Sequence, residues 1–390
     1  MGILLERLDV NPNTGEDSGE TPLSLAAELG NEAVMKILLE RVDVNPNAVN
    51  RYGHAPLSAA ACEGNEEVVK MLLQRGDVDP NTMDEHGLTP LYRAAWAGRE
   101  GVVKILLERN DINPNAITKD RETPLFRAAR EGHKGVVKVL SERNDVNPNI
   151  TNSSGQTPLF IAVRKRREGV VEMLLEWGCV NPNIADEHGQ TPLFIAAWKG
   201  RKRVVKMLLA QVDVNPNAAS RDGETPPHTA ACDGSEGAVK MLLEREDVNP
   251  NTTNNLGRTP LLEASCKGHE GIVKMLLARG DINLNTTDND SETPLSEAIW
   301  DKCEGVVKIL LERADVNPNL KNKYGQAPLF IAAHEGYEGV VEMLLRRGDV
   351  NPNIANEYGI TPLQRAAEEG HEGVVKTLLE PVIPSGQSGL

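Results

Sequence analysis

The chain has 390 residues, a net charge of −15 and only 3% aromatic residues. This balance argues against general nucleic-acid binding, because phosphate neutralisation requires surplus lysine and arginine, and no hydrophobic run is long enough to span a membrane. The five cysteines are scattered without a Cys-x-x-Cys pair, which predicts a reducing compartment, the cytoplasm or alternatively the nucleus. Each cysteine is expected to pack as a small apolar side chain.

A tripeptide of the type Thr-Pro-Leu returns every 34 residues, eleven times. Its first residue stands at Thr21, Ala55, Thr89, Thr123, Thr157, Thr191, Thr225, Thr259, Thr293, Ala327 and Thr361. A fixed period of this length predicts a solenoid, in which each copy buries its apolar face against its neighbours. We therefore expect one array and number its repeats 1 to 11 from Thr21 to Thr361.

In chain order, residues 1–8 come first and resemble part of a helix. The stretch Ile3-Leu4-Leu5-Glu6-Arg7 aligns with the later stretch Ile105-Leu106-Leu107-Glu108-Arg109. Residues 1–8 are therefore expected to be the truncated second helix of a preceding repeat, either because upstream sequence is missing or because the first repeat is shortened. The array itself is expected to span residues 9–380.

Repeat 3, residues 82–115, shows what each copy predicts. Thr89 has the hydroxyl of a helix cap, and Pro90 suits the first helical position because its missing N–H would be unpaired there. This first helix has Leu91, Ala94 and Ala95 on one face, and Gly98 is expected to end it in the left-handed conformation. A longer apolar pattern predicts a second helix, with Val102, Val103, Ile105, Leu106 and Leu107 on its buried face. The rest of the copy is turn chemistry and predicts an extended finger with a tight tip.

The pattern Gly-x-Thr-Pro-Leu-x-x-Ala-Ala-x-x-Gly followed by Val-Val-x-x-Leu-Leu resembles the ankyrin repeat family over residues 9 to about 380. The motifs of the tetratricopeptide repeat are absent. The resemblance implies an all-α fold, an alpha-alpha superhelical solenoid with finger-like hairpin loops. It also implies a non-enzymatic protein-protein interaction scaffold that binds on its concave side, through the finger tips and the exposed flank of the first helix. The Asp-Val-Asn-Pro-Asn flavour is similar to long fungal ankyrin arrays.

Two departures from the family pattern stand out. The family's usual period is 33, and the extra residue here is most simply placed in Asn-Pro-Asn. The family's histidine after Thr-Pro-Leu appears only as His228, while other copies carry an aromatic residue such as Tyr92 or Phe126. We expect aromatic packing to replace the histidine's hydrogen bonds between repeats.

Two variable columns mark the expected partner surface. The position after Ala-Ala holds Trp96, Trp198 and Trp300, three repeats apart, and exposed tryptophan is typical of binding hot spots. The alternative is that each tryptophan packs half-buried on a neighbouring first helix. The finger tips of the same surface carry Tyr52, His86, His188 and Tyr358.

The middle of the chain is basic, although the whole is acidic. Residues 116–149, 150–183 and 184–217 carry net charges of +2, +1 and +2, so the remainder carries −20. The concave side is expected to present Arg130, Arg164, Lys165 and Lys199, with Arg127 beside them. Such a cluster predicts a partner protein with an acidic or phosphorylated segment. The alternative is a solvated face balanced by acidic neighbours.

The last repeats depart from the pattern in two places. Repeat 9 has Ser291 and Lys302 where other copies have glycine, which predicts a weak copy because left-handed geometry strains a residue with a side chain. Thr377 occupies a column that is otherwise apolar, so the last repeat is expected to cap the array. Residues 381–390 are expected to be a flexible tail.

No motif of an enzyme is present: there is no Gly-x-x-x-x-Gly-Lys, Gly-x-Ser-x-Gly or His-Glu-x-x-His. We expect no catalytic residues, no cofactor and no metal site. The expected function is a monomeric scaffold that binds a partner protein, with nucleic acid unfavoured and no insertion into membranes. Two alternatives stay open: the chain is a ligand-sensing arm of a larger nucleotide-switch or other multidomain protein, or it is a recently duplicated array without a selected partner.

Overall fold

The computed structural model of the protein describes residues 10–15 and 17–380. In this part of the chain there are 22 helices in tandem pairs and no β-strands, and no helix is long and apolar enough to cross a membrane. The predicted truncated helix at residues 1–8 and the predicted tail at residues 381–390 lie outside the described residues. The helices are α1 (Pro22–Glu28), α2 (Glu32–Leu39), α3 (Pro56–Glu63), α4 (Glu66–Gln74), α5 (Pro90–Ala97), α6 (Glu100–Leu107), α7 (Pro124–Glu131), α8 (Lys134–Ser141), α9 (Pro158–Arg164), α10 (Glu168–Glu176), α11 (Pro192–Trp198), α12 (Lys202–Leu209), α13 (Pro226–Cys232), α14 (Glu236–Leu243), α15 (Pro260–Cys266), α16 (Glu270–Leu277), α17 (Pro294–Trp300), α18 (Glu304–Leu311), α19 (Pro328–Glu335), α20 (Glu338–Leu345), α21 (Pro362–Glu368) and α22 (Glu372–Leu379).

The chain divides into two compact units, residues 1–187 with α1–α10 and residues 188–390 with α11–α22. Odd-numbered helices are the first helices of their repeats and even-numbered helices are the second. Within each unit, first helices pack on first helices of neighbouring repeats and second helices on second helices. The predicted apolar positions, such as Leu91, Ala95 and Val103, are fully buried. The prediction of an all-α array of helix pairs is confirmed.

The first helices begin and end as the sequence predicted. In repeat 3 the Thr89 hydroxyl oxygen accepts a hydrogen bond of 3.1 Å from the backbone N–H of Tyr92. Pro90 opens the helix, and Gly98 ends it with φ at +70°. The finger before this helix turns on one polar side chain: Asp84 Oδ1 accepts from the N–H groups of His86 and Leu88, both at 2.8 Å. Because both ends of a first helix are fixed in this way, its exposed side occupies an equivalent position in successive repeats.

Tyrosine or phenylalanine occupies the family's histidine position in five of the eleven repeats. Phe126, Phe160, Phe194 and Phe330 are among the largest fully buried side chains. Two repeats keep a polar link as well: the Tyr92 hydroxyl donates to Glu122 Oε2 at 2.8 Å, and His228 Nε2 lies 2.9 Å from the carbonyl oxygen of Arg258. Aromatic packing therefore takes the place of the histidine in five of the eleven repeats.

The last asparagine of the Asn-Pro-Asn segment, or of its variants Asp-Pro-Asn and Asn-Leu-Asn, links neighbouring repeats. Asn81 Nδ2 donates to the carbonyl oxygen of Asp111 at 2.7 Å, and Asn81 Oδ1 accepts from the N–H of Asn113 at 2.9 Å. The same pair of bonds recurs at Asn47, Asn115, Asn149, Asn217, Asn251, Asn285 and Asn319. The 34-residue period is therefore accompanied by a ladder of side-chain bonds at the finger base.

Within residues 10–15 and 17–380, four residues with side chains adopt the left-handed backbone conformation. Ser291 and Lys302 have φ values of +61° and +58°, as their replacement of glycine predicted. Arg121 at a finger tip and Arg166 at the end of a first helix have φ values of +60° and +61°. The left-handed conformation of these two residues was not predicted. Backbone strain is therefore spread over repeats 4, 5 and 9.

We expect Lys302→Gly to stabilise repeat 9 by about 1 kcal/mol, because glycine adopts this conformation without a steric penalty. Hydrogen exchange of the α17 and α18 amides measures the effect, since repeats open locally. Lys267→Gly is the matched control: Lys267 follows α15 with φ at −85°, where glycine brings only added chain entropy and should destabilise. Equal effects of the two substitutions would contradict the strain at Lys302.

Candidate functional site

The exposed flank of the first helices forms a continuous column within each unit, which we call the inner-helix face. It consists of the residue after each Ala-Ala pair, the residue three positions before it, and the finger residue that precedes each Thr-Pro. Alanines at the buried positions of the first helix bring neighbouring helices close together. Large or charged flank side chains therefore meet across adjacent repeats.

The three predicted tryptophans behave differently on this face. Trp96 is 44% exposed and Trp198 is 38% exposed. Trp300 is half-buried: its indole N–H donates to Glu292 Oε1 at 3.1 Å, and its ring lies edge-on to His334 with centroids 6.5 Å apart. The column thus contains two open indoles and one packed indole.

Each open indole has a cation on one ring face. The Arg127 guanidinium lies 4.1 Å from the Trp96 ring centroid, and Lys199 Nζ lies 3.5 Å from the Trp198 ring centroid. Trp198 also lines an open groove of about 230 Å³ together with Glu224 and the side chains of Gln190, Phe194, Thr229, Cys232 and Asp233. A cation–π contact limits the motion of an indole and leaves its other face and its edge available to a partner.

The predicted basic residues fall into two groups in the first unit. Arg130 pairs with Glu122 at 2.9 Å, and Arg127 pairs with Glu131 at 3.3 Å, so the acidic neighbours balance this pair. Arg164 and Lys165 end α9 on the surface, and the structure shows no ion pair for either within the described residues. Lys199 belongs to the second unit, where its contact is the Trp198 ring.

The predicted finger-tip residues are exposed, most of all Tyr358 at 77%. Tyr52 has the Arg51 guanidinium 4.8 Å from its ring centroid, and His86 lies 3.4 Å from Glu85. His188 is exposed as well. Neighbouring tips are joined through the backbone, as where the N–H of Lys119 donates to the carbonyl oxygen of His86 at 3.1 Å. The tips form a surface of varied side chains on a fixed backbone.

A buried acidic cluster between repeats 8 and 9 was missed by the sequence analysis. Arg258 lies at its centre, with guanidinium nitrogens 2.6 Å from Glu297, 3.4 Å from Asp288 and 4.0 Å from Glu263. Burial raises the pKa of Glu297 to about 7; Arg258 opposes the shift, and Asp288, Glu292 and Asp301 add to it. The sequence showed that Glu263 and Glu297 occupy equivalent positions of their repeats, but it did not show that the helices bury them.

The cysteines on the inner-helix face correct one expectation. No cysteine is buried as a core residue: Cys179 is exposed and the other four are half-exposed. Cys266 lies in the acidic cluster, where its Sγ and one oxygen each of Glu297 and Asp301 lie within 4.8 Å of one another. Burial raises the pKa of Cys266 to about 12, and Arg258 Nη1 lies 3.8 Å from its sulfur. A protonated thiol beside a guanidinium is a poor metal ligand, so the cluster is better described as an ion-pair cluster.

Comparisons with known proteins bear on the family and the fold of the chain. The profile of the family described as ankyrin repeats (3 copies) matches in overlapping windows, at residues 2–84, 43–118, 76–152, 125–219, 180–254, 212–288, 228–322 and 295–385. A crystal structure of the ankyrin repeat domain of Bcl-3, a member of the IkappaB protein family, is similar with 27% identity and a TM-score of 0.52, over 58% of this chain and 99% of that chain. The ankyrin repeat protein EF0377 shares 26% identity with a TM-score of 0.46, over 48% of this chain and 95% of that chain. No curated protein sequence matches the chain.

Proposed function

The chain belongs to the ankyrin repeat family, a general protein-protein interaction module, and on that premise we propose that it is a non-enzymatic, monomeric scaffold that binds a partner protein on the concave surface formed by its inner-helix face. Trp96 in the first unit and Trp198 in the second unit each anchor a partner on the inner-helix face of their own unit. We place the scaffold itself in the reducing environment of the cytoplasm or nucleus, because its five cysteines are free.

The observation that carries this proposal is the exposure of Trp96 and Trp198 on a rigid frame. Each indole stands on a first helix whose opposite side is fully buried, as at Ala95 and Ala197. A rigid aromatic side chain loses little conformational entropy on binding and buries a large apolar area. Trp300 is excluded from this role because its polar edge already bonds to Glu292.

The proposal is tested by capture of partners with the full chain, followed by titration of a captured partner. We expect Trp198→Ala or Trp96→Ala to weaken binding about 30-fold, equal to about 2 kcal/mol for one hot-spot residue, with unchanged circular dichroism. Trp177→Ala is the matched control because Trp177 follows the second helix α10, away from the inner-helix face. Equal losses in all three variants, or a lowered melting temperature for Trp198→Ala, would show that these indoles are packing residues.

Arg164 and Lys165 support the finer proposal that the partner carries an acidic or phosphorylated segment. Both side chains are exposed at the end of α9, where an approaching anion meets no competing ion pair within the described residues. In the same assay, Arg164→Glu combined with Lys165→Glu should slow association, most strongly at low salt. The control is Lys104→Glu combined with Lys138→Glu on the second helices of the same unit, which makes the same change of charge. An equal effect of the two pairs would reduce this part of the proposal to general attraction.

A further inference from the structure

The inner-helix face of repeats 7 to 9 is strongly acidic, in contrast to the basic middle of the chain. The face itself contributes Glu224, Glu263, Glu292 and Glu297, and Asp233, Asp288 and Asp301 lie directly beside it along the chain. We call these seven carboxylates the acidic groove; the equivalent positions of the three repeats supply only Arg258 and Lys267 as cations. Neighbouring carboxylates of the groove affect one another. Burial is the main cause of the raised pKa of Glu224, and the charge of Glu263 raises it further. The charge of Asp301 raises the pKa of Glu297 in the same way. All of these residues lie in the second unit.

The buried part of the groove contains more acidic than basic side chains. Glu263, Asp288, Glu292 and Glu297 are all more than nine-tenths buried, and Arg258 is the guanidinium placed among them. In such surroundings each carboxylate needs an opposite charge or hydrogen-bond donors to stay ionised. Arg258 reaches three of the four carboxylates and leaves the cluster with an excess of negative charge.

Glu292 shows this deficit at a single atom. Its Oε1 accepts hydrogen bonds from Trp300 Nε1 at 3.1 Å and from Asn322 Nδ2 at 2.7 Å. Its Oε2 is buried and has no hydrogen-bond partner, while the charge of Glu292 acts directly on Glu297. Because Coulomb interactions are strong where water is excluded, a cation at the mouth of the groove stabilises Glu292 without touching it.

We propose that the acidic groove is a docking site for a basic segment of a partner protein, with arginine or lysine side chains seated between Trp198 and Trp300. Asp233 and Asp301 are exposed at its rim and Glu224 is half-exposed, so they contact the incoming cations first. The charge of the groove selects a basic segment, and the Trp198 ring offers a second attraction for a guanidinium. This inference rests on the proposed function only in taking the occupant to be a partner protein.

The experiment measures binding of fluorescein-labelled hexa-arginine to the full chain, with hexa-glutamate as the opposite-charge probe. The test variant combines Glu224→Gln, Asp233→Asn and Asp301→Asn, which removes three charges without touching the buried residues. The matched control combines Glu244→Gln, Glu246→Gln and Glu312→Gln, three exposed residues that follow second helices of the same unit. We expect the groove variant to weaken hexa-arginine binding about tenfold and the control about twofold or less.

A second readout comes from pH. A bound cation favours the ionised form of Glu297, whose pKa is about 7 in the free protein, so binding should be several-fold tighter at about pH 8 than at about pH 6. Glu297→Gln should remove this dependence. The groups that face Glu297 are Arg258, Glu263, Asp288, Glu292, Asp301 and Cys266; Arg258 stays charged over this range.

The outcomes separate the two proposals. Equal losses in the groove variant and the control variant mean general attraction to a chain of net charge −15 and overturn this inference. It is also overturned if Zn²⁺ alone binds, Cys266→Ser abolishes that binding, and hexa-arginine is indifferent to the groove variant, because the cluster is then a metal site. If the tryptophan variants keep full partner binding while the groove variant loses hexa-arginine, the proposed function fails and the groove stands; the opposite pattern removes only the groove.

Discussion

Replacing Arg258 by methionine should destabilise repeats 8 and 9 by about 3–5 kcal/mol at neutral pH, the usual effect of removing one partner from a buried ion pair. Methionine keeps most of the side-chain volume and removes the charge. Glu297 and Asp288 then lose their nearest cation, at 2.6 Å and 3.4 Å, in a place where water is largely excluded. Hydrogen exchange of the α15 and α17 amides measures the loss.

Arg245→Met is the matched control for this substitution. Arg245 pairs with Asp247 at 2.6 Å, but the Asp247 side chain is half exposed to solvent, so the expected loss is about 1 kcal/mol or less. Arg245 also donates to the carbonyl oxygen of Leu209 at 3.1 Å, so the control substitution removes a hydrogen bond between repeats as well as an ion pair. If both variants lose the same stability, Arg258 is only another surface arginine and the cluster is not charge-deficient.

The second large effect is a pH dependence centred on Glu297. Its pKa is raised from 4.5 to about 7, first by burial, so the folded protein holds a proton that the unfolded chain releases above pH 4.5. Stability from this group is therefore present at low pH and is lost as pH rises through about 7. We expect Glu297→Gln to be neutral near pH 5 and stabilising by about 2 kcal/mol near pH 8, a value reduced for solvent screening.

Denaturant unfolding of both proteins at the two pH values checks this expectation. Taking the difference from wild type removes the contribution of groups whose pKa is shifted in the opposite direction. One such group is Asp84: burial alone would raise its pKa, but hydrogen bonds and Arg93 lower it. Glu244→Gln on the surface should show no change with pH. A stabilisation by Glu297→Gln that is larger at pH 5 than at pH 8 contradicts the assigned direction.

The repeat fold was predictable because its determinants are local. Thr89, Pro90 and Gly98 specify where a first helix begins and ends through their own hydroxyl, ring and missing side chain, and each lies at an end of that helix or directly beside it. The aromatic column was predictable for a related reason: a regular period places Phe126 and Phe160 in equivalent positions of neighbouring repeats.

The candidate site was predictable in position but not in state. The sequence placed Trp96, Trp198 and Trp300 in one column and left open whether they are exposed or packed. The structure separates them through their contacts: Trp300 donates to Glu292 of its own repeat and lies against His334 of the next repeat. The basic pair Arg127 and Arg130 was expected to be available for binding, and Glu122 and Glu131 partly balance its charge.

The sequence by itself thus determined the helix pairs, their limits and the column in which each side chain stands, because these follow from local chemistry and a constant period. Only the tertiary structure decided which charges are buried and which are paired. Burial and pairing depend on side chains contributed by neighbouring repeats: Arg258 reaches Glu297, 39 residues away, at 2.6 Å. Coulomb energies change severalfold with burial and distance, and the aligned repeat sequences give neither the burial of a side chain nor the distance between two charges.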